Sequence, residues 1–331
     1  MVSNYANLSS SSLGVPFSPS ISIIICTCDR ARSLRQTLKA IGRQQFPSAW
    51  RVEVILVDND STDETATVAQ NWIPTKVRVR YVHEPKKGLS NARNAGLEHS
   101  RGEFILFTDD DALPAQDWVE KMVSALATDG CNAVTGQFRP ADYLMRPWLS
   151  TMHRWWLGDS SVAQPRNGVR ELIGGNMGFR RSVLESVQSF DPELGAGSLG
   201  FAEDTLFGWQ LSRAGFRIEY ASKACVIHQM DVSRLLRINW LRAARKRGRT
   251  EAYLCYHWEH TDMPFPRLKW FLCFLKLNLR RMLQPPPPLQ DEGCPLWEMD
   301  YVQQMAKSRQ FCVERRRPRN YSFKGLSKRR L

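Results

Sequence analysis

Three consecutive aspartates, Asp109, Asp110 and Asp111, directly follow the run Phe104–Phe107 and Thr108. Alternate residues of an extended segment point the same way, so Asp109 and Asp111 form the natural pair. Other short apolar runs end on acids too: Ile21–Cys26 leads to Asp29, Val52–Val57 to Asp58 and Asp60, and Val77–Val82 to Glu84. In an open parallel sheet the ligand crevice lies at the carboxyl ends of the strands, which predicts seven carboxylates on one rim. Left unpaired they would repel and raise each other's pKa values. Oxygen-rich clusters of this kind suit Mg²⁺ or Mn²⁺. Helix capping is the plainer reading for a strand-end aspartate such as Asp29 or Asp58; three in a row fit it poorly.

The elements that must hold these acids are legible as alternating patterns. Ile21–Cys26 reads as a buried strand, with Leu34, Leu38 and Ile41 after it at helical spacing. Val52–Val57 is a second strand, and Ser61-Thr62-Asp63-Glu64 reads as a capping box opening a helix to about Trp72. Val77–Val82 and Phe104–Phe107 are further strands, with helices expected over Ser90–His99 and about Ala115–Ala127. Strand–helix alternation at this pitch predicts an α/β fold with a mostly parallel, doubly wound sheet flanked by helices. Later come a helix near Thr205–Ala214 and a strand Ala224–Ile227 closed by His228. Gly195 to Gly200 matches G-x-G-x-x-G but neither follows a strand nor opens the helix, so it reads as a flexible loop rather than a dinucleotide site.

Residues from about 22 to 228 resemble a family 2 glycosyltransferase of the GT-A fold. The matching pieces are SIIICTCDR, EVILVDNDSTDET, HEPKKGLSNARNAGL, GEFILFTDDDALP, LIGGNMGFRR and GFAEDTLFGWQLSRAGF with CVIHQ behind it. The resemblance implies a nucleotide-diphosphate sugar as donor, most simply a UDP-sugar. It implies Thr27, Asp29 and Arg30 at the base and ribose, with Asp58 accepting hydrogen bonds from uracil or ribose. Glu84 joins this nucleotide-facing set as a rim acid, and Arg93 either touches the diphosphate or fixes Asp109. The three aspartates resemble the family's DxD motif: Asp111 on the metal, Asp109 on metal or ribose, and Asp110 towards the sugar or packed away. His228 matches a late metal-ligating histidine, which would favour Mn²⁺ over Mg²⁺. Glu203-Asp204 matches the acidic pair that carries the base, normally its second member; direct displacement at the anomeric carbon then inverts configuration. Gly175 and Asn176 would approach the donor sugar, and Trp148, Trp155 and Trp156 are aromatic candidates for the acceptor, with core packing as the alternative.

Composition places these motifs in context. The chain has 331 residues, 43% hydrophobic and 24% charged, which excludes wholesale disorder. Its net charge of +13 is uneven: residues 1–230 carry 24 basic and 24 acidic side chains, residues 231–331 carry 22 and 9. This argues against a uniformly basic nucleic-acid surface. It predicts a flexible leader over 1–19, a catalytic domain over 20–230 (nucleotide half 20–130, acceptor half 131–230), and a basic, mostly helical extension over 231–331. In that extension Arg234 to Arg249 carries seven basic residues among Leu235, Leu236, Ile238, Trp240 and Leu241. Leu268 to Leu283 adds Trp270, Phe271 and Phe274. Basic amphipathic helices of this kind suit an anionic membrane surface, and with it a lipid-linked or glycan acceptor. Eight scattered cysteines without a CxxC pair, no apolar stretch of spanning length and no secretory leader pattern point to the cytoplasm, peripherally at the inner face of the plasma membrane. Two other functions compete. A sugar nucleotidyltransferase would want a Gly-rich, basic triphosphate loop after the first strand, where this chain has CTCDR; a nucleic-acid binder would work through the basic segment alone.

Overall fold

The computed structural model describes residues 18–74, 76–162 and 171–329, so the leader expected over 1–19 lies outside the described residues except for its last two. Strand β1 (Ser20–Thr27) has Ile21, Ile23, Ile24 and Ile25 fully buried, as expected of a strand covered on both faces. It pairs in parallel with β2 (Arg51–Asp58) and β4 (Phe104–Asp109), and β2 pairs in parallel with β3 (Arg78–His83). The register aligns the carboxyl ends: Thr27 lies opposite Asp58, Cys26 opposite Asp109, and Asp58 opposite His83. The rim inferred from the sequence therefore exists.

Beyond β4 the sheet changes character. Strand β7 (Asn176–Arg180) enters antiparallel to β4 and to β6 (Cys131–Pro140). Strand β8 (Arg217–His228) then runs parallel to β6 and antiparallel to the short β5 (Ala112–Pro114). The result is one eight-stranded mixed sheet of order β3-β2-β1-β4-β7-β6-β8-β5. Helices α1 (Ala31–Gly42) and α4 (Trp118–Leu126) pack their apolar residues with Ile21, Ile23 and Ile25 on one face. Helices α3 (Leu89–His99) and α6 (Glu203–Arg213) cover Ile24 and Phe107 on the other.

The capping box expected at Ser61 does not form. Helix α2 (Thr65–Gln70) starts four residues later with no side-chain cap. Ser61 and Thr62 are used across the loop instead, binding the backbone N–H and the carboxylate of Asp29 respectively.

The chain after residue 231 packs onto the sheet domain. Helix α7 (Arg237–Tyr253) buries Trp240, Leu241 and Ala244 against Leu144, Leu157 and Met230, and against Met299 and Val302 of α9 (Leu296–Glu314). Gly248 permits the α7–α9 approach, since a Cβ there would lie 2.1 Å from the Gln303 carbonyl oxygen. Much of the basic excess is answered internally: buried Glu298 takes Arg237 and Arg281, and Glu193 takes Arg317 and Lys328. Helix α8 (Pro266–Leu283) packs along α9 through Leu277 and the Arg281–Glu298 pair, with Pro266 and Leu277 its only buried residues. Among the described residues no helix is long and apolar enough to cross a membrane.

Candidate functional site

Asp109 ends β4, Asp111 stands two residues on, and His228 ends β8, opposite Ala112 in the antiparallel β5–β8 pair. One ligand atom from each of the three lies within 4.8 Å of the others. The His228 Nε2 is 3.2 Å from an Asp111 oxygen, while its buried Nδ1 has no partner. Burial works against the Asp111 charge, but His228 and Arg30 outweigh it and hold the carboxyl well below its usual range. Burial pushes Asp109 upwards, with Arg93 opposing, and pushes Asp110 up to about 7 against Arg30. Two carboxylates and an imidazole form a donor set that fits Mn²⁺, so the expected ligands are brought together. Asp110 turns aside to Arg30, at 3.6 Å.

Glu203 and Asp204 open α6, and they point different ways. Glu203 is buried and paired with Arg93 at 2.7 Å; burial, with the neighbouring Asp204 charge, pushes it up to about 7 against Arg93. Asp204 reaches the open side, accepting from the Gly174 and Thr205 backbone N–H groups at 2.7 Å. Of the two tasks considered for Arg93, the structure shows the internal one. It is 2% exposed, 3.6 Å from Asp109, and lies over the Phe107 and Phe190 rings. The Gly174-Gly175 turn is shaped by these groups: a Cβ would lie 2.2 Å from the Arg93 guanidinium at Gly174 and 2.5 Å from an Asp109 oxygen at Gly175.

Several residues expected on the donor are committed elsewhere. Asn176 is fully buried; its amide donates to the Gln137 and Ala224 carbonyls and accepts from the Trp118 indole, so it ties β7 to its neighbours and does not reach a sugar. Asp58 is 2% exposed, and its oxygens accept from the Ser61 N–H and the Tyr81 hydroxyl; it lines neither cavity described below. Glu84 binds the Lys86 N–H in its own loop. Thr27 is buried at the end of β1. Asp29, at φ 52°, holds Thr62, whose N–H lowers its pKa, and Arg30 binds Asp111 directly; both line an open cleft. The loop expected to be flexible at Gly195–Gly200 is fastened to the start of α3 by the Leu89 N–H on the Ala196 carbonyl.

Two cavities meet at the triad. One, of about 570 Å³, is bounded by Asp29, Arg30, Ser33, Asp111 and Tyr143. The other, of about 680 Å³, contains Asp109, His228, Gly175, Asp204, Trp155 and Trp156. Trp155 and Trp156, from the short helix α5 (Thr151–Trp156), thus line the same space as Asp204; Trp148 instead packs edge-on against His153 and Trp240. Sequence reasoning missed the far wall of this cavity, where α7 contributes Arg247 and Thr250, α9 contributes Met299 and Gln303, and Arg234 precedes α7. The helical spacing of Trp240, Leu241, Ala244 and Gly248 was a signal for packing, masked by the basic residues between them.

Comparison with known proteins agrees with this architecture. The family model described as "Glycosyl transferase family 2" matches residues 22–188. The succinoglycan biosynthesis protein ExoM of Rhizobium meliloti is 29% identical over 245 residues, 71% of this chain and 74% of that protein. A Campylobacter jejuni protein named GalNAc(5)-diNAcBac-PP-undecaprenol beta-1,3-glucosyltransferase is 35% identical over 95 residues, 28% of this chain and 30% of its own length. Among solved structures, the Pyrobaculum calidifontis mannosyltransferase PcManGT in complex with GDP-Man and Mn²⁺ superposes with a TM-score of 0.55 at 21% identity, covering 88% of this chain and 70% of that one. The match spans half of the chain and takes in the strands that carry the aspartates: the protein belongs to glycosyl transferase family 2 and has the GT-A fold.

Proposed function

We propose that the chain moves a sugar from a nucleotide-diphosphate sugar, most simply a UDP-sugar, to a glycan or lipid-linked acceptor, with inversion at the anomeric carbon. The observation that carries this reading is the opening of Asp109, His228 and Asp204 into one cavity with two tryptophans, with Asp111, the third member of the triad, lining the adjoining cleft. Asp109, Asp111 and His228 would hold a divalent cation, Mn²⁺ by its nitrogen ligand; such an ion answers the charge of the departing nucleoside diphosphate. Arg30, beside Asp111, adds a fixed cation on the nucleotide side. Asp204, oriented by the Gly174 N–H, accepts the acceptor hydroxyl's proton as that oxygen attacks. Arg93 is a positioning residue: it holds Asp109 and Glu203 in place from behind. Trp155 and Trp156 line the space an acceptor ring would enter, Trp156 with Arg247 over its ring.

The acceptor is met at a lipid surface. Helix α8 has no acidic residue, carries Arg267, Lys269, Lys276, Arg280 and Arg281, and exposes Leu268, Phe271, Leu272, Leu275 and Leu279. An apolar helix face with basic flanks complements an anionic bilayer, which supports a peripheral position, in this reading at the cytoplasmic leaflet. The names of related proteins, which include succinoglycan biosynthesis and a glucosyltransferase named for a PP-undecaprenol-linked GalNAc glycan, support a polysaccharide or lipid-linked role.

A panel of nucleotide sugars tests the reading. One donor is expected to be hydrolysed slowly with Mn²⁺ and not with EDTA. Asp204→Asn is expected to bind that donor while losing transfer by about 10² to 10⁴-fold. Hydrolysis indifferent to EDTA removes the metal role, and full transfer by the Asn variant removes Asp204 as the base.

A further inference from the structure

The wall of the cavity facing the triad carries two cations, Arg247 near Asp204 and Arg234 within reach of the Asp111 and Arg30 charges. Arg247, on α7, lies with its guanidinium between two rings, 4.6 Å from the Trp156 centroid and 4.8 Å from that of Phe201. Its Nε is buried with no hydrogen-bond partner. Arg234, just before α7, faces the same cavity, and among the described residues neither arginine's side chain has an ion pair or hydrogen bond. Thr250, nearly one turn beyond Arg247, is 2% exposed and lines the cavity with its hydroxyl unpartnered. The acids whose charges reach Arg247 are Asp204, which accepts from Gly174 and Thr205, Glu251, which lies 3.6 Å from Lys307 with its Oε2 lacking a hydrogen bond, and Glu171.

Buried polar groups are normally paired, and an unpaired one calls for an explanation. Here the buried donors without a hydrogen bond are the Arg247 Nε and the Thr250 hydroxyl, with the Arg234 guanidinium lining the same cavity. Burial, and then the Arg234 charge, pulls Arg247 down to about 10. An oxyanion between them would relieve both costs. Aromatic rings on two sides hold the Arg247 plane in a fixed orientation, as recognition of a planar or tetrahedral oxyanion favours.

We propose that Arg234, Arg247 and Thr250 form a phosphate-binding subsite for the acceptor. This rests on the glycosyltransferase reading in one respect: Asp204 marks where the acceptor hydroxyl lies, and Arg247 stands beside Asp204 rather than beside Asp29. The donor's diphosphate is met at the triad and Arg30. The second anion therefore belongs to the molecule presenting the hydroxyl, a sugar joined to its carrier through phosphate or diphosphate.

The test uses the full chain and inorganic pyrophosphate as the probe, titrated calorimetrically in EDTA so that no metal bridges it. Wild type is expected to bind, with affinity lowered at least about tenfold in Arg247→Met, whose side chain keeps the contact with both rings, and in Arg234→Met. Arg234→Met removes no side-chain hydrogen bond or ion pair among the described residues, so it keeps the test open if Arg247→Met does not fold. A prenyl diphosphate is expected to compete for the site and the corresponding prenol is not. UDP and GDP, titrated with Mn²⁺, are expected to keep their affinities within about twofold in both variants. Unchanged pyrophosphate binding overturns the subsite, nucleotide affinity falling in step with pyrophosphate assigns the cations to the donor, and failure of prenyl diphosphate to compete removes the lipid-linked acceptor. The pyrophosphate titration stands whether or not any donor is turned over, so its outcome and that of the transferase reading separate.

Discussion

Asp109 shows how closely single residues are fitted at this site. Its carboxylate packs against Gly175, where no larger residue fits, and is steadied by Arg93, which also holds Glu203. Gly175→Ala would place a methyl group 2.5 Å from the Asp109 oxygen, so the carboxylate must move. Overpacking of this kind costs about 1–3 kcal/mol. The variant is expected to melt lower and to bind Mn²⁺ more weakly, readable by a metal titration of the full chain; unchanged metal affinity would show that Asp109 is not a ligand. The motifs were legible at this scale, the triad included. What the sequence could not show was which polar residues spend themselves on the chain, as Asn176 and Asp58 do, because a hydrogen-bond partner far along the sequence leaves no local mark.

At the scale of elements, the first four strands and their helices follow from pattern alone, since a strand buried on both faces needs an unbroken apolar run and an amphipathic helix a 3.6-residue stripe. The loop before α6 does not. Glu193 there binds Arg317 and Lys328, and Lys328 also binds Asp191, so the end of the chain is fastened near the segment leading to Asp204. Burial opposes the Glu193 charge, but Arg317 and Lys328 prevail and lower its pKa from 4.5 to about 2. The folded-state value is depressed, so the contribution is present above pH 4.5 and is lost as pH falls from there towards about 2. Glu193→Gln is therefore expected to cost about 2 kcal/mol near neutrality, with the gap to wild type narrowing as melting curves are recorded at successively lower pH. A gap constant with pH would remove the ion pairs as its source.

For the whole molecule, the segment after 231 divides in two. Helices α7 and α9 complete the cavity and share its core, whereas α8 joins that core through Leu277 and exposes Leu268, Phe271, Leu272, Leu275 and Leu279. Two substitutions on α8, Leu272→Glu and Leu279→Glu, lie at exposed positions and leave the core untouched. The doubly substituted chain is expected to keep its melting temperature and to lose co-sedimentation with phosphatidylserine vesicles that wild type shows. Retained vesicle binding would separate α8 from the membrane contact.

The sequence by itself determined the family, the parallel half of the sheet and the grouping of Asp109, Asp111 and His228, because short motifs at strand ends place chemistry wherever the strands align. Only the tertiary structure decided how the charges of the basic third of the chain are disposed. Its charges read alike in sequence, yet some are paired on buried carboxylates, some border an exposed apolar face, and two face the cavity without a partner. That sorting depends on which residues from distant parts of the chain meet, and composition averages over it.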